Sequence, residues 1–353
     1  MTAAPRILFF ADAGPQVGGG HVMRCLTLAR ALADRGAECA FVESRAAGPI
    51  LRRFGWGQAL LAMAEADDLA GLVAYGREFA DRFDADLVVV DHYRAGAAEE
   101  TQLRGLSRFI AVIDDLADRK HACDLLVDPG FGRRRAHYRG LVRETCQILV
   151  GPDHALVRPE FAGARPRALM RRAHHGAVRR ALMAFGLTDV GAVTARGAAA
   201  LAGRLGEVRL DVVLGPGAPS HAAVAELARG CAELHLHVDV EDMVSLTAEA
   251  DVAVGAGGSS VWERACLGLP TVTVVLADNQ APMAERMADA GATLALDARL
   301  AGFEADLAAA WDQLVADDAV RRRLGERSSE LCDGRGAERV ADAVLGLLRP
   351  RLA

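Results

Sequence analysis

The sequence predicts an α/β protein of two consecutive domains, each a parallel sheet covered by helices, and three observations carry that prediction. Apolar residues make up 52% of the 353-residue chain but aromatics only 5%. A core of Ala, Val and Leu suits helices packed on parallel strands better than a sandwich. Short apolar runs alternate with helical patterns through both halves of the chain. The rhythm breaks once, over 151–177, where Gly151-Pro152, Arg158-Pro159 and Arg165-Pro166 punctuate a basic stretch. At this length two domains are the expected number. The reading is a first domain over 1–155, a linker over 156–177, and a second domain over 178–353 that ends in closing helices.

In the first domain, strands are expected at 6–11, 38–43, 86–91, 108–114, 124–128 and 146–150, and helices at 21–35, about 67–82 and 97–105. The helix at 21–35 sets Val22, Cys25, Leu26, Ala29 and Leu32 on one stripe. Arg35-Gly36 ends it with a cation and then a glycine. In the second domain, strands are expected at 179–185, 208–214, 233–238, 251–255, 270–276 and 293–296. Helices are expected at 191–205, 220–231, 241–249, 259–268 and 280–290, and in pieces over 302–348. Two such domains place a cleft between the carboxyl ends of their strands, where ligands bind in open α/β sheets.

Charge and cysteine usage narrow the class. A net charge of −6 argues against a nucleic-acid partner. The runs Arg133-Arg134-Arg135, Arg171-Arg172 and Arg321-Arg322-Arg323 read as solvated faces, and His174-His175 as a solvated part of the linker. Seven scattered cysteines with no Cys-x-x-Cys pair fit reduced thiols in the cytoplasm. No apolar run approaches the roughly 20 residues that span a bilayer, so a soluble cytoplasmic protein without membrane insertion is expected. Oligomeric state has no signature here, and a monomer is the working expectation.

The most informative segment is Ile7–His21: an apolar strand, a loop, the glycines Gly18, Gly19 and Gly20, then a histidine at a helix start. Glycines let a ligand approach the backbone, and the free N–H groups of a first helical turn attract anions. A cation beside that positive end is disfavoured, so His21 is expected to stay neutral and accept a proton. The pattern is neither Gly-x-Gly-x-x-Gly, since Met23 stands at the third glycine, nor a P-loop, since no Lys-Ser/Thr follows. Its ordinary reading is a glycine-rich turn with His21 as a cap.

A second segment, Val254–Glu263, repeats the logic with Gly257, Gly258, Ser259 and Ser260 before a helix. Ser259 or Ser260 can cap that helix while its amides face an anion. Glu263 is placed to meet a ribose hydroxyl or to close a capping box with Ser260. Asp91-His92-Tyr93 closes the run Leu87–Val90 at a strand's carboxyl end, where ligands bind. Asn279 is either a helix N-cap or a sugar-binding amide. Asp114, Asp115, Asp118, His121 and Asp124 invite a metal reading, as do His235, His237 and Asp239 on one strand. Carboxylates at strand ends more often pair with arginine or cap helices, and strand alternation makes such histidine spacing by chance.

Taken together, Gly18–Cys25, Asp91-His92-Tyr93, Ile113–Asp124, Gly151–Phe161, Gly257–Glu263 and Asp278-Asn279-Gln280 resemble the PseG family of UDP-sugar hydrolases. The resemblance runs from about residue 5 to 295. It implies a GT-B-type fold of two Rossmann-like domains and cleavage of UDP from UDP-2,4-diacetamido-2,4,6-trideoxy-β-L-altropyranose. The setting implied is pseudaminic acid biosynthesis for flagellar or surface glycans. It makes His21 the base that activates water, with Tyr93 and Asn279 around sugar and water. Gly18, Gly19, Gly20, Asp91, Gly258, Ser259, Ser260 and Glu263 would contact substrate, and no metal or cofactor is implied. Phe185-Gly186-Leu187-Thr188-Asp189 departs from the family's Gly-Gly-x-Asp.

UDP is a good leaving group, so the demanding step is placing water and removing its proton. No motif offers a carboxylate nucleophile, so direct displacement with inversion is expected. The rivals are a GT-B glycosyltransferase using a UDP-amino sugar, a binding protein without turnover, and attack at phosphorus.

Overall fold

A computed structural model of the chain describes residues 3–14, 17–55, 60–63, 69–173 and 176–349. Pro15 and Gln16 of the glycine loop, and His174-His175, lie outside them. The chain divides into two compact units, Met1–Leu156 with Arg335–Ala353, and Val157–Gly334.

The first unit begins β1 (Arg6–Ala11), α1 (Gly20–Ala33), β2 (Glu38–Glu43), α2 (Gly48–Phe54), β3 (Leu60–Met63) and α3 (Leu69–Phe83). It continues with β4 (Leu87–Asp91), α4 (Ala97–Leu103), β5 (Phe109–Ile113), β6 (Leu125–Asp128) and β7 (Gln147–Val150). The seven strands lie parallel in the order β3-β2-β1-β4-β5-β6-β7. The order reverses between β1 and β4, and ligands bind outside the strand ends at such a point. The register sets Ala11 beside Asp91 there. The loops that leave this point are the two that the sequence singles out, 12–19 after β1 and 92–96 after β4.

The second unit begins α5 (Pro159–Ala173), β8 (Arg180–Ala184), α6 (Val193–Ala202), β9 (Arg209–Leu214), α7 (His221–Gly230), β10 (Leu234–Val238), α8 (Met243–Glu249) and β11 (Val252–Ala256). It continues with α9 (Ser260–Cys266), β12 (Thr271–Val275), α10 (Ala281–Asp289), β13 (Leu294–Asp297), α11 (Phe303–Ala316) and α12 (Asp318–Leu331). Its six parallel strands run β10-β9-β8-β11-β12-β13 and reverse between β8 and β11. The loop Gly257–Ser259 leaves that point.

Three features differ from the sequence expectation. The strand β3 and the helix α2 had no expected counterpart. The expected linker 156–177 is instead largely the helix α5. Arg165 and Arg172 are not solvated spacers but caps on other helices of the second unit. Arg165 donates to the carbonyls of Cys266 at 2.5 Å and Ser329 at 2.9 Å, and Arg172 to those of Leu267 at 2.7 Å and Thr247 at 2.9 Å. Cations satisfy the free carbonyls at helix C-termini, which makes the basic composition structural. Likewise Arg321, in the third arginine run, is buried and donates to Leu314 O at 2.7 Å.

The chain's last helix, α13 (Gly336–Leu348), belongs with the first unit rather than closing the second. Val340, Ala341 and Val344 are fully buried in the cluster that holds Val22, Cys25 and Ala29 of α1. Arg35 Nε pairs with Asp342 at 2.7 Å, and Arg339 donates to Asp153 O at 2.9 Å. Glycine at 336 makes this docking possible, because a Cβ there would lie 2.2 Å from Ala155 O.

Gly336→Ala is therefore expected to destabilise the chain by about 1–3 kcal/mol through overpacking. Gly346→Ala, on the same helix with open space around it, is expected to be neutral or to stabilise by about 0.5–1 kcal/mol. Denaturant melts of the two variants check the docking; equal midpoints would contradict it.

Candidate functional site

In the first unit the glycine loop is closed on itself before α1 begins. Gly18, at φ +80°, occupies backbone space that favours glycine, and Gly14 and Gly18 bond each other's main chain. Gly19 caps α1, accepting from Met23 N at 3.1 Å, and Gly20 starts the helix. His21 follows in the first turn and is 5% exposed.

Asp91, at the end of β4, meets His21 from below. Its Oδ1 lies 3.4 Å from His21 Nδ1. Arg24 stands on the same helix face three residues on, where side chains are neighbours. Its guanidinium forks Asp91, with Nε to Oδ2 at 2.5 Å and Nη2 to Oδ1 at 2.6 Å. Its remaining Nη1 reaches Asp115 Oδ2 at 2.9 Å. Tyr93 stands edge-on to the imidazole with ring centroids 4.4 Å apart, and its hydroxyl donates to the same Asp115 oxygen at 3.4 Å. The structure thus brings Gly19, Gly20, His21, Asp91 and Tyr93 together around an arginine and an aspartate.

The electrostatics follow from burial. Burial alone would raise the Asp91 carboxyl, but Arg24, then His21, and the bonds from Arg24 and Cys25 hold it below the usual carboxylate range. Burial and then the Asp115 charge push the Tyr93 phenol up, so it remains a protonated donor. Asp91 was read from sequence as a substrate contact. It is fully buried, and both its oxygens are taken by Arg24. His92 is buried with Nε2 3.6 Å from Asp12 Oδ1 and Nδ1 accepting from Arg94 N at 3.1 Å, and burial pushes it down.

The two candidate metal clusters are engaged otherwise. Asp114 accepts from Tyr138 Oη at 2.9 Å and pairs with Arg119 at 2.9 Å. Asp124 accepts from Arg143 at 2.6 Å, and His121 Nδ1 meets Glu100 at 2.6 Å. His237 Nε2 meets Asp211 at 2.7 Å. Among the described residues no three His, Cys, Asp or Glu side chains converge as a metal site would require.

In the second unit the loop after β11 is shaped by close approach. A Cβ at Gly257 would come within 3.3 Å of Gln280. Gln280 Oε1 accepts from Leu276 N at 3.0 Å, which ties the loop after β12 alongside. Ser259 occupies the cap position of α9 without a side-chain cap bond. The capping box read from Ser260 and Glu263 does not form. Ser260 Oγ instead accepts from Arg264 Nη1 at 3.0 Å, and Glu263 pairs with Arg158 Nε at 2.7 Å. Asn279 is not a helix cap: it lies exposed in the turn Asp278–Gln280, and Gln280 caps α10. Asp189 of the departing motif binds Thr194 N at 3.1 Å and Ser220 N at 3.0 Å, joining the loops after β8 and β9.

Three of these residues were not singled out from sequence, Arg24, Arg158 and Arg264, while Asp115 was read there as a metal candidate and is instead paired with Arg24. Only Arg24 carried a usable local signal, its helical spacing from His21.

No family model matches the chain. It is 25% identical over 336 residues to the spore coat polysaccharide biosynthesis protein SpsG of Bacillus subtilis, spanning 94% of this chain and 95% of that protein. It is 26% identical over 157 residues to the UDP-2,4-diacetamido-2,4,6-trideoxy-β-L-altropyranose hydrolase of Campylobacter jejuni, which is 44% of this chain and 53% of that one. Among solved structures it is similar to Acinetobacter baumannii MurG, with a TM-score of 0.66 at 16% identity over 97% of this chain and 99% of that one. The fold is of the GT-B class. No helix among the described residues is long and apolar enough to cross a membrane.

The Arg24–Asp91 fork sets a stability prediction. Asp91 titrates lower in the folded chain than in the unfolded one, so the unfolded chain binds the extra proton in acid. This contribution is complete above about pH 4 and is lost as pH falls through the folded value. Asp91→Asn is expected to flatten that acid limb in chemical denaturation. Arg24→Met strands a buried carboxylate and is expected to cost about 3–5 kcal/mol at neutral pH; a loss under about 1 kcal/mol, the size of a surface pair, would contradict the assignment.

Proposed function

We propose that the chain hydrolyses a UDP-sugar at the anomeric carbon, with a UDP-2,4-diacetamido-2,4,6-trideoxyhexose of altropyranose type as substrate. The observation that carries this reading is the line Arg24–Asp91–His21 with Tyr93 beside the imidazole. A carboxylate facing Nδ1 favours the tautomer with its proton there and leaves Nε2 to take a proton from water. Arg24 holds that carboxylate in place, so Asp91 is a positioning residue and His21 the base. Tyr93, kept as a hydroxyl donor, is assigned to sugar or water.

The second unit is assigned the nucleotide. Gly258, Ser259 and Ser260 present backbone and hydroxyl donors suited to phosphate oxygens, and Glu263 is suited to ribose hydroxyls. Donors there would stabilise the charge that develops on departing UDP. Asn279, in the neighbouring turn, is assigned to the sugar. Water then attacks carbon as the bond to the diphosphate oxygen breaks, the proton passes to His21 Nε2, and the configuration inverts. The activity of the Campylobacter relative, together with the motif resemblance, supports hydrolysis and the sugar class. A glycosyltransferase reading shares the fold, since one framework hosts several chemistries. The motifs singled out in the first unit bear on base and phosphate chemistry, and none of them marks an acceptor site.

Incubation with UDP-diacetamido-trideoxyhexoses in labelled water tests the reading. UDP release without any acceptor is expected, with the heavy oxygen in the free sugar. Label in UDP would mean attack at phosphorus, and release only with an added acceptor would mean transfer. His21→Ala is expected to lower turnover about 100- to 10,000-fold, the range for a lost general base, while UDP affinity is retained.

A further inference from the structure

The second unit holds a buried cation with no carboxylate partner. Arg264 is 5% exposed, and among the described residues no Asp or Glu bridges to it. The adjacent Glu263 gives its carboxylate to Arg158. Arg264 Nη2 donates to Ala256 O at 2.6 Å and Nη1 to Ser260 Oγ at 3.0 Å, while Nε has no partner. Its seat is the space that glycine leaves at 255, where a Cβ would lie 2.6 Å from Nη1. The contrast with Arg24, which has two carboxylates, is plain. Burial pushes the Arg264 guanidinium down to about 10 against a smaller opposing pull from the Glu263 charge, which does not bridge to it, so it keeps its charge at neutral pH. Buried charges are normally paired, because an unpaired one is costly.

We infer that Arg264 is a positioning residue for an anionic ligand, whose diphosphate supplies the missing counter-charge at the loop Ala256–Ser260. Two local effects convert the cation into recognition. By donating to Ser260 Oγ it occupies a lone pair and leaves the hydroxyl proton to point at a phosphate oxygen. By donating to Ala256 O it withdraws from the loop a carbonyl that would repel an anion. The ligand's charge then relieves a cost the free protein carries, and this gain exists only for the phosphorylated ligand. The inference rests on the reading that the second unit binds UDP.

Calorimetric binding of UDP and of uridine to the full chain tests it. Arg264→Met is expected to weaken UDP about tenfold or more, the scale of a lost charge-assisted interaction, and to leave uridine within about twofold. Arg264→Lys is expected to recover part of the loss, since the charge remains. Gly255→Ala fills the seat of the guanidinium, and the same UDP-selective loss is expected; it also carries the test if the Met variant does not fold. Equal losses for UDP and uridine would make Arg264 a structural tie and overturn the inference. Unchanged UDP affinity in both variants would overturn it as well, while leaving the nucleotide reading intact. A wild-type chain that binds neither compound would overturn the nucleotide reading itself and the inference with it.

Discussion

A guanidinium forked onto a buried carboxylate organises the first unit's site. Asp91 ends the strand beside which the sheet reverses order, and Arg24 rises from the helix that leaves the neighbouring strand. Their two bonds lock helix to sheet at the place where both the glycine loop and Tyr93 begin. His21 lies between them on the same helix, so its imidazole inherits the register of this pair. Stability alone does not require such a pair. Well-packed apolar residues of the same volume would often do as well or better. What the charges add is placement: one carboxylate oxygen 3.4 Å from Nδ1, and a third arginine N–H that sets Asp115 against Tyr93.

The second unit solves the opposite problem. Its sheet reverses in the same way, and a glycine-rich loop again leaves the reversal point. There the buried arginine faces a carbonyl and a hydroxyl instead of a carboxylate. Arg24 is neutralised by carboxylates of its own unit, and Arg264 has no bridging carboxylate among the described residues. Under the proposed function, the difference matches a division of labour in which proton transfer needs a fixed, internally balanced group and phosphate binding needs unspent positive charge.

Most strands were legible because each is an apolar run bounded by polar or turn residues, as in Leu87–Asp91 and Val252–Ala256. The strand Leu60–Met63 was not, since its Leu-Leu-Ala-Met carries no β-branched residue and has Ala-rich flanks. Two prolines and a basic composition disguised α5 as a linker. Its arginines make sense only against carbonyls 75 to 167 residues away, which no local pattern encodes. The same holds for α13: amphipathic spacing announces a helix but not which core it joins. At the site, His21, Tyr93 and the second glycine loop stood out by residue type. Arg264 did not, because a Glu-Arg pair on a helix reads as solvent-facing until Gly255 is seen to make room for it.

That α13 belongs to the first unit also bears on His21. Its apolar face packs beside α1 and also meets β5, so α1 is held by strands and by a neighbouring helix. Val22, Cys25 and Ala29 are fully buried, and Arg35 at the far end of α1 is tied to Asp342. A helix held along both sides cannot slide or tilt freely at its start. Proton transfer depends steeply on placement, so under the proposed function the histidine's precision derives from residues at the opposite end of the sequence. The chain's last helix is, in that sense, part of the support for its first loop.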